Sequence, residues 1–522
     1  MRLYENGEFI SCEDENRNFQ LLIEDQGKII FTGDRLPDQY LGIKERVDLS
    51  GRCVVPAFAD SHLHFASFSL FQSTVDVRTA RNFYEMGDII NAYCRNNPQE
   101  KLILGFGCSA HIVKEKRLPE RNDLDKITTL PLLLVKYDGH AAVANTALLA
   151  QFPDAVQKSP GFYRNTGWLY HQAFYDGVNY ITGSVSPFKV LKNLINGADY
   201  LARRGIGLVH TVEGVGFPRD IDVDMMRVAA YGLPQNFRIY FQTMNIDKVQ
   251  KRKMPRIGGC FTTALDGCFG SEDAALSQPY SNNADNRGIL VYTQQTVSDF
   301  VKRANRRELQ VSMHAIGDAA VEQAVIAYEE ALTDFPRSDH RHIIIHADLI
   351  PQPLLERAAK LGLHLAVQSP FLYWEQEPTD YLEKILGQRI NDLIPLKSML
   401  KHGLTIAGGS DAPCTLPDPM FGIFAACQHP NPEQRISVLD ALRMHTNWPA
   451  RLTFDEDARG TLTEGKIADF VVLDKNPLKV TQEKLTEIRV EKLFIKGREY
   501  MGPSANSLAL MFEAAKNKLI SL

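Results

Sequence analysis

The sequence predicts a (β/α)8 barrel, and two observations indicate this fold. Eight apolar runs of strand length occur along the chain, and helical stretches with apolar residues three or four positions apart follow many of them. No glycine-rich phosphate loop follows an early strand, which disfavours the alternative of a doubly wound sheet. The predicted barrel strands are 53–58, 207–212, 237–242, 260–265, 309–313, 342–345, 363–367 and 404–407.

The length and composition of the chain leave room for additions to the barrel. A barrel takes roughly 250 residues, so much of the 522-residue chain must lie elsewhere. Hydrophobic residues make up 44% and charged residues 23%, which is ordinary for a soluble globular protein. The formal net charge of −5 is spread along the chain and points to neither a nucleic-acid nor a membrane partner.

Cysteine usage and the first residues bear on the cell compartment. The eight cysteines stand singly, so we expect neither a zinc ribbon nor a disulfide framework. The N-terminal residues have no apolar stretch behind a basic segment, and no run of about 18 apolar residues occurs in the chain. These features predict a cytoplasmic protein without a membrane span.

The sequence predicts three structural units, which are a β-sandwich from both ends of the chain, an insertion and the barrel. Both ends carry short strand-like runs between turns, so we expect residues 1–53 and 456–522 to pair into a small β-sandwich with a terminal helix. The gap between the first two barrel strands is too long for one helix. Residues 75–200 are therefore a predicted insertion covering the barrel mouth, and residues 54–74 and 201–455 form the barrel.

Two histidines follow the first predicted barrel strand in the run Asp60-Ser61-His62-Leu63-His64. Residues two apart on an extended strand point the same way, so His62 and His64 would aim two imidazoles at one point. Imidazole is the commonest protein ligand for zinc and similar cations. The pair predicts a metal site, and the alternative is an accidental surface pair.

Three further polar residues end other predicted strands. His314 ends the run LQVSMH and is the first residue of the motif HAIGD. His346 ends the run HIIIH, and Asp411 follows the last strand in GGSDAP. The carboxyl ends of barrel strands meet at one mouth, where the active sites of this fold lie. We therefore expect these side chains to join His62 and His64 in one metal centre.

Several motifs together resemble the amidohydrolase superfamily. They are VVPAFADSHLH, HAIGD, HIIIHAD, GGSDAP and GTLTEGKIADFVVLDKNP, and in the insertion RLPERNDLD and KYDGHAAVANTALL. The nearest branch is that of proteins similar to N-substituted formamide deformylase, the amidohydrolase 3 type, and the resemblance covers nearly the whole chain. It implies a barrel with a β-sandwich from both termini, hydrolysis of carbon–nitrogen bonds, and one or two divalent cations, with zinc expected first.

The resemblance also implies residue roles. His62 and His64 would bind the more buried metal, and His314 and His346 a second metal, or one of these two would hold the hydrolytic water. Asp411 would be a ligand and the general acid/base. Asp411 and His346 are thus the predicted catalytic residues. A metal-bound water has its pKa lowered to about 7, which suits hydrolysis at neutral pH.

The sequence departs from the family at the fourth strand. Many relatives carry a lysine there that bridges two metals, and Thr262 stands in its place. Glu213, at the end of the second strand, is a candidate substitute bridge. Its alternatives are a loop residue and a helix-capping residue. Without a bridge, a single-metal centre similar to that of deaminases is expected.

Two residues are predicted to bind substrate on the same resemblance, His140 and Asp266. The alternative for His140 is a structural contact at the start of a predicted helix over 141–149. The predicted function is metal-dependent cleavage of a non-peptide carbon–nitrogen bond in an amide, formamide or cyclic amide. Deamination of a heterocycle at one metal, or a non-catalytic barrel scaffold, are the alternatives. The expected partner is a small molecule, and a homodimer follows only from base rates.

Overall fold

A computed structural model of the chain describes residues 1–521, so Leu522, the last residue of the predicted C-terminal unit, lies outside it. Eight parallel strands form one sheet whose spatial order follows the chain. We number these strands β1 to β8. They are β1 Phe58–Leu63, β2 Ile206–Glu213, β3 Asn236–Phe241, β4 Arg256–Ala264, β5 Gln310–Ala315, β6 Ile343–His346, β7 His364–Val367 and β8 Thr405–Gly408.

The ends of the sheet meet through backbone hydrogen bonds beyond β8. Asp411 N donates to His62 O at 2.8 Å, and His64 N donates to Ala412 O at 2.9 Å. These bonds join the residues after β8 to β1, so the sheet closes into a barrel. The predicted (β/α)8 barrel is confirmed.

The first barrel strand begins later than the sequence predicts. The apolar run 53–58 is divided between two sheets: Cys53–Pro56 is a sandwich strand paired with Phe470–Leu473, and β1 starts at Phe58. Pro56 has no N–H to donate and Ala57 N donates to Asp469 O, so the hydrogen-bonding partners change at this point. Because the apolar run continues across Pro56 and Ala57, the sequence does not show where the sandwich strand ends and β1 begins.

Side chains alternate between two cores along the barrel strands. On β6, Ile343 and Ile345 belong to the cluster inside the barrel, and Ile344 belongs to the large core under the helices. All three are buried, and each such side chain stabilises the fold by roughly 1.5–3 kcal/mol. The outer core is covered by helices that follow the strands. These helices are Phe65–Phe71, Ile221–Ala229, Ile246–Lys251, Gln294–Arg306, Asp318–Asp334, Gln352–Lys360, Thr379–Leu386, Leu396–Lys401, Pro419–Cys427, Val438–Met444 and Asn447–Leu452.

Two further sheets form the predicted β-sandwich; the first consists of N-terminal strands alone and the second contains strands from both ends of the chain. A four-stranded sheet has the order Lys28–Gly33, Leu21–Asp25, Arg2–Glu5 and Glu45–Asp48. A six-stranded sheet has the order Arg498–Glu499, Val490–Ile495, Phe470–Leu473, Cys53–Pro56, Glu8–Ile10 and Asn18–Phe19. Tyr4 packs edge-on against Phe470 and Phe494 between them. A helix, Ser507–Ser521, ends the described chain.

The residues between β1 and β2 form a sheet with helices of its own. Its strands are, in spatial order, Phe162–Tyr163, Trp168–Tyr170, Ala141–Ala144, Leu132–Lys136, Ile103–Cys108 and Val75–Asp76. The helices of this segment are Phe83–Asn96, Arg121–Ile127, Thr146–Leu149, Asp154–Gln157, His171–Thr182 and Pro187–Arg203.

The predicted helix over 141–149 is wrong in its first half. Residues Ala141–Ala144 form a strand antiparallel to Leu132–Lys136, and only Thr146–Leu149 is helical. Gly139, with φ of 73°, allows the tight turn between these strands. Asn145 then caps the short helix by accepting from Leu148 N.

Within the described chain, no helix combines the length and apolar character that crossing a bilayer requires. The remaining short elements are 3-10 helices. They are Asp38–Tyr40, Pro218–Asp220, Phe269–Ser271, Ser369–Tyr373, Gly387–Asp392, Pro432–Gln434 and Gln482–Glu487.

Two buried histidines predict that the fold loses stability in acid. Burial lowers the pKa of His445 to about 4 and that of His210 to about 3. The unfolded chain takes up these protons first, near its pKa of about 6.5. Above that pH both histidines are neutral in the folded and in the unfolded chain, so they do not change the free energy of unfolding. As the pH drops from there toward 4, the free energy of unfolding falls, by up to about 3 kcal/mol for His445.

Urea unfolding of chelator-treated protein between pH 7.5 and 5 measures this loss without a contribution from bound metal. His445→Asn is expected to flatten the pH dependence, and replacement of the exposed His171 is expected to leave it unchanged. An equal pH dependence in the wild type and in His445→Asn would contradict the prediction.

Candidate metal centre

Four side chains from different barrel strands converge at the carboxyl end of the barrel. Donor atoms of His62, Cys260, His346 and Asp411 all lie within 4.8 Å of one another, and all four residues are buried. Cys260 Sγ lies 3.3 Å from His62 Nε2 and 3.8 Å from His346 Nε2. The set combines two imidazoles, a thiol and a carboxylate, which are the ligand types that zinc prefers.

Asp411 lies at the centre of this group with an oxygen that lacks a hydrogen bond. Its Oδ1 is 3.0 Å from His62 Nε2 and 3.3 Å from His64 Nε2. Within the described chain, this buried Oδ1 nevertheless meets the geometry of no hydrogen bond. Ligand atoms that lie close together without forming hydrogen bonds to one another are typical of side chains directed at a common cation. These residues therefore fit a metal ion.

The protonation of these groups also suits metal binding. Burial lowers the pKa of His62, and burial with the neighbouring His314 lowers that of His346 well below its usual value. Both rings are therefore neutral, with a lone pair available to a metal. Burial alone would raise the pKa of Asp411, but the His62 and His64 imidazoles hold it well below its ordinary range.

Gln368 orients His346 and was not predicted. Its Oε1 accepts a hydrogen bond from His346 Nδ1 at 2.6 Å. This bond puts the ring proton on Nδ1 and leaves Nε2 facing Cys260 and the rest of the group. Gln368 directly follows β7, so its place after a barrel strand was the signal that could have identified it.

Cys260 was also missed, because β4 contains a bulge. Gly259 pairs with Met313 and Ala264 with the next residue of β5, His314, so extra residues are accommodated between them. Phe261 has a φ of 47° within this bulge. Strict alternation along the strand is lost, and Thr262, at the predicted lysine position, donates its hydroxyl to Gln242 O instead.

Glu213 is not brought to the metal centre. Its Oε1 accepts from Ala66 N at 3.1 Å and from Thr211 Oγ1 at 2.6 Å, and Phe65 N donates to Thr211 Oγ1 at 3.0 Å. Glu213 and Thr211 thus satisfy the first amides of the helix that follows His64. These contacts favour the helix-capping alternative for Glu213, whose carboxylate is not among the four clustered donors.

His314 and Asp266 lie beside the centre rather than within the four-donor group. The His314 ring is 4.6 Å from that of His346, and its Nε2 is 3.2 Å from Gly267 O and 3.4 Å from Asp266 Oδ1. Burial would lower the pKa of His314, but Asp266 raises it above its usual value. Asp266 is fully engaged by its neighbours and does not line the cavity, so the structure gives it the role of orienting His314.

His140 lies in the cavity wall, held by Asp138. His140 N donates to Asp138 Oδ1 at 3.2 Å, and Lys136 Nζ donates to Asp138 Oδ2 at 2.6 Å. Asp138, His140 and Cys268 bring donor atoms within 4.8 Å, as a metal site would. Because Lys136 already neutralises Asp138, and holds its pKa well below the usual range against the effect of burial, this second group does not fit a cation.

The cavity in front of the metal centre has a mainly apolar wall. Phe371 stacks on Trp374 at 4.7 Å and lies parallel to His346 at 5.9 Å. Among the described residues that line the cavity there is no lysine or arginine. The apolar and aromatic part of the wall comprises Phe71, Phe106, Val135, Phe174, Tyr175, Val178, Val215, Phe261, Ile316, Phe371 and Trp374.

Comparison with known proteins agrees with this geometry. The model of the amidohydrolase family matches residues 45–500. YtcJ of Bacillus subtilis (strain 168), which carries an amidohydrolase name, is 26% identical over 537 residues, covering 95% of this chain and 99% of that protein. N-substituted formamide deformylase of Arthrobacter pascens is 25% identical over 504 residues, covering 87% and 89%. A crystal structure of an uncharacterized metal-dependent hydrolase from Pyrococcus furiosus has a TM-score of 0.73 and 25% identity, covering 92% and 100%.

These matches confirm the resemblance drawn from the motifs. They also confirm the predicted enzyme class, a metal-dependent hydrolase acting on carbon–nitrogen bonds other than peptide bonds. The substrate and the metal are not named by any of them for this chain.

Coordination by Cys260 predicts a spectroscopic signature. A buried thiol such as Cys260, whose pKa burial raises well above its ordinary value, loses its proton on binding a metal. The cobalt-substituted protein is therefore expected to show a thiolate-to-cobalt charge-transfer absorption. Cys260→Ser should remove this absorption and weaken metal binding by at least the roughly 10–100-fold typical of losing an outer contact.

The matched control is Cys94→Ser on helix Phe83–Asn96, which is remote from the centre and should keep the absorption. Survival of the absorption in Cys260→Ser would exclude Cys260 as a ligand.

Proposed function

Because the chain belongs to the amidohydrolase family, we propose that it hydrolyses a carbon–nitrogen bond in a neutral amide or formamide with an apolar substituent. The observation that carries this proposal is the four-donor group of His62, Cys260, His346 and Asp411 at the floor of an apolar cavity. The names of two relatives, an amidohydrolase and an N-substituted formamide deformylase, support the same bond type.

We infer that the group holds one zinc ion. Thiolate and imidazole are softer ligands than the oxygen donors that magnesium and calcium require, and zinc accepts a mixed set of them. A zinc ion bound by these residues would supply an activated water at neutral pH. With Glu213 engaged at the helix start, no bridging carboxylate supports a second ion.

Asp411 is the proposed proton carrier. Its carboxylate is ionised at neutral pH and so can accept a proton. It can take that proton at Oδ2 from the attacking water and deliver it to the leaving nitrogen. His346, fixed by Gln368, keeps its place at the metal while this exchange occurs.

The cavity wall supports the proposed substrate class. An apolar wall without lysine or arginine stabilises an uncharged, apolar group and leaves a substrate carboxylate unpaired. His140, from the segment between β1 and β2, is the polar group of the wall that we propose to contact the substrate. We also propose that residues 75–200 cover the barrel mouth, since Phe106, Val135 and Phe174 line the cavity.

A second candidate function is deamination of a heterocycle. The single four-donor group without a bridging carboxylate favours it, because that arrangement suits one metal. The two reactions differ in product, since deamination releases ammonia and leaves the ring closed. The site of action that we propose for either reaction is the cytoplasm, and a homodimer remains a proposal on base rates.

Two formamides test the proposed substrate class, and the products distinguish amide hydrolysis from deamination. The zinc-loaded protein is expected to release formate from N-(cyclohexylmethyl)formamide with a kcat/KM at least tenfold above that for N-formylglycine, because only the first substituent is uncharged. Asp411→Asn should keep its zinc and lose about 10²–10⁴-fold in turnover. Formate and ammonia are the products to measure.

Asp285→Asn is the matched control, since Asp285 is exposed and distant from the site in sequence and should leave turnover unchanged. Retained turnover in Asp411→Asn would remove Asp411 from the mechanism. Ammonia release from heterocycles, with no cleavage of any amide, would replace the proposal by the deaminase alternative.

A further inference from the structure

A second, smaller cavity lies behind the aromatic wall of the first. Phe371 lines both cavities, so one ring separates them. The second cavity has a volume of about 50 Å³, which exceeds the roughly 10–15 Å³ that one water molecule needs. Its wall is mostly apolar, with Phe269, Leu382 and Leu393 among its members, and it contains the carboxyl groups of Asp348 and Glu377.

Asp348 presents a carboxyl group without a partner to this cavity. The residue is 4% exposed, and its Oδ1 is buried without a hydrogen bond. Its backbone is fixed, because Ile394 N donates to Asp348 O at 2.7 Å. A buried carboxyl that lacks hydrogen-bond donors costs the fold free energy, so a native structure retains it only where something else supplies those donors.

Glu377 provides a second carboxyl group with only one oxygen engaged. Its Oε1 accepts from Tyr137 Oη and from Gly270 N, both at 3.1 Å. In the described part of the chain, Oε2 has no hydrogen-bond partner. The cavity therefore contains two carboxyl groups whose hydrogen-bonding capacity the described chain does not fill.

The cationic side chains near the cavity do not neutralise these groups. Lys136 donates to Asp138 Oδ2 at 2.6 Å and to Ser271 Oγ at 2.5 Å. His429, in the cavity wall, accepts from Asn431 N through Nδ1 and lies 3.1 Å from Leu393 O through Nε2. That ring is therefore neutral and turned away from the carboxyl groups.

The chemistry of the cavity selects among cations. A hard divalent ion requires six or more oxygen ligands, which this apolar wall does not offer. An alkylammonium ion carries up to three N–H donors for the carboxylate oxygens and an alkyl part for the leucines. Phe269 and Phe371 belong to the same wall.

We propose that the cavity of Asp348 and Glu377 is a binding site for an alkylammonium ion about the size of methylammonium, the amine that hydrolysis of an amide with a short alkyl substituent releases. This assignment rests on the proposed hydrolase function. Hydrolysis adds water across the carbon–nitrogen bond and gives a carboxylate and an amine, which takes up the released proton and becomes an ammonium ion.

Calorimetric titration of the zinc-loaded full chain with methylammonium chloride tests the site, with sodium chloride at the same ionic strength as reference. We expect saturable binding by the wild type, and at least tenfold weaker binding by Asp348→Asn and by Glu377→Gln. Asp380→Asn, an exposed acid on the neighbouring helix Thr379–Leu386, should bind as the wild type does.

Absence of methylammonium binding by the wild type would overturn the inference and leave the cavity to water. Binding that both Asp348→Asn and Glu377→Gln retain would overturn it as well. The binding test needs no substrate, so its outcome does not depend on whether the protein hydrolyses amides. A protein that binds methylammonium but cleaves no amide contradicts the proposed function alone, and one that cleaves amides without binding methylammonium contradicts only this inference.

Discussion

The backbone hydrogen bonds that close the barrel hold the metal centre together. Asp411 N donates to His62 O and His64 N to Ala412 O, so the residues after β8 are tied directly to the histidine pair after β1. The carboxylate of Asp411 and the imidazole of His62 are thereby fixed next to each other. Each of the other donors needs only to extend from its own strand end to this fixed pair.

That arrangement is maintained at a cost in backbone conformation. His346 has a φ of 72° and Asp411 a φ of 54°, both in the left-handed region that residues other than glycine rarely occupy. Such conformations cost of order 1–3 kcal/mol each and persist where the surrounding structure imposes them. Here the extended strand stops and its last side chain turns into the centre. The strain is thus concentrated at residues whose side chains converge, and the packed core of the barrel compensates for it.

The sequence predicted the barrel and the β-sandwich from both termini. It also predicted that His62, His64, His314, His346 and Asp411 meet at or beside the centre, because strand ends in a barrel share one mouth. It did not predict Cys260, since the bulge in β4 breaks the alternation on which the assignment depends. It gave no reason to choose between a bridging and a capping role for Glu213, because the helix start that this residue binds is distant in sequence. Gln368 could not be predicted as the partner of His346, because no sequence pattern pairs an amide after one strand with a histidine on another.

The central claim is that one cation lies among His62, Cys260, His346 and Asp411, and that Glu213 supports the fold from outside it. Elemental analysis of the purified wild type, His346→Ala and Glu213→Ala, each after zinc loading and removal of excess metal, tests this most directly. One equivalent of zinc is expected in the wild type and in Glu213→Ala, and little in His346→Ala. Two equivalents in the wild type that fall to one in Glu213→Ala, or no zinc in the wild type, would contradict it.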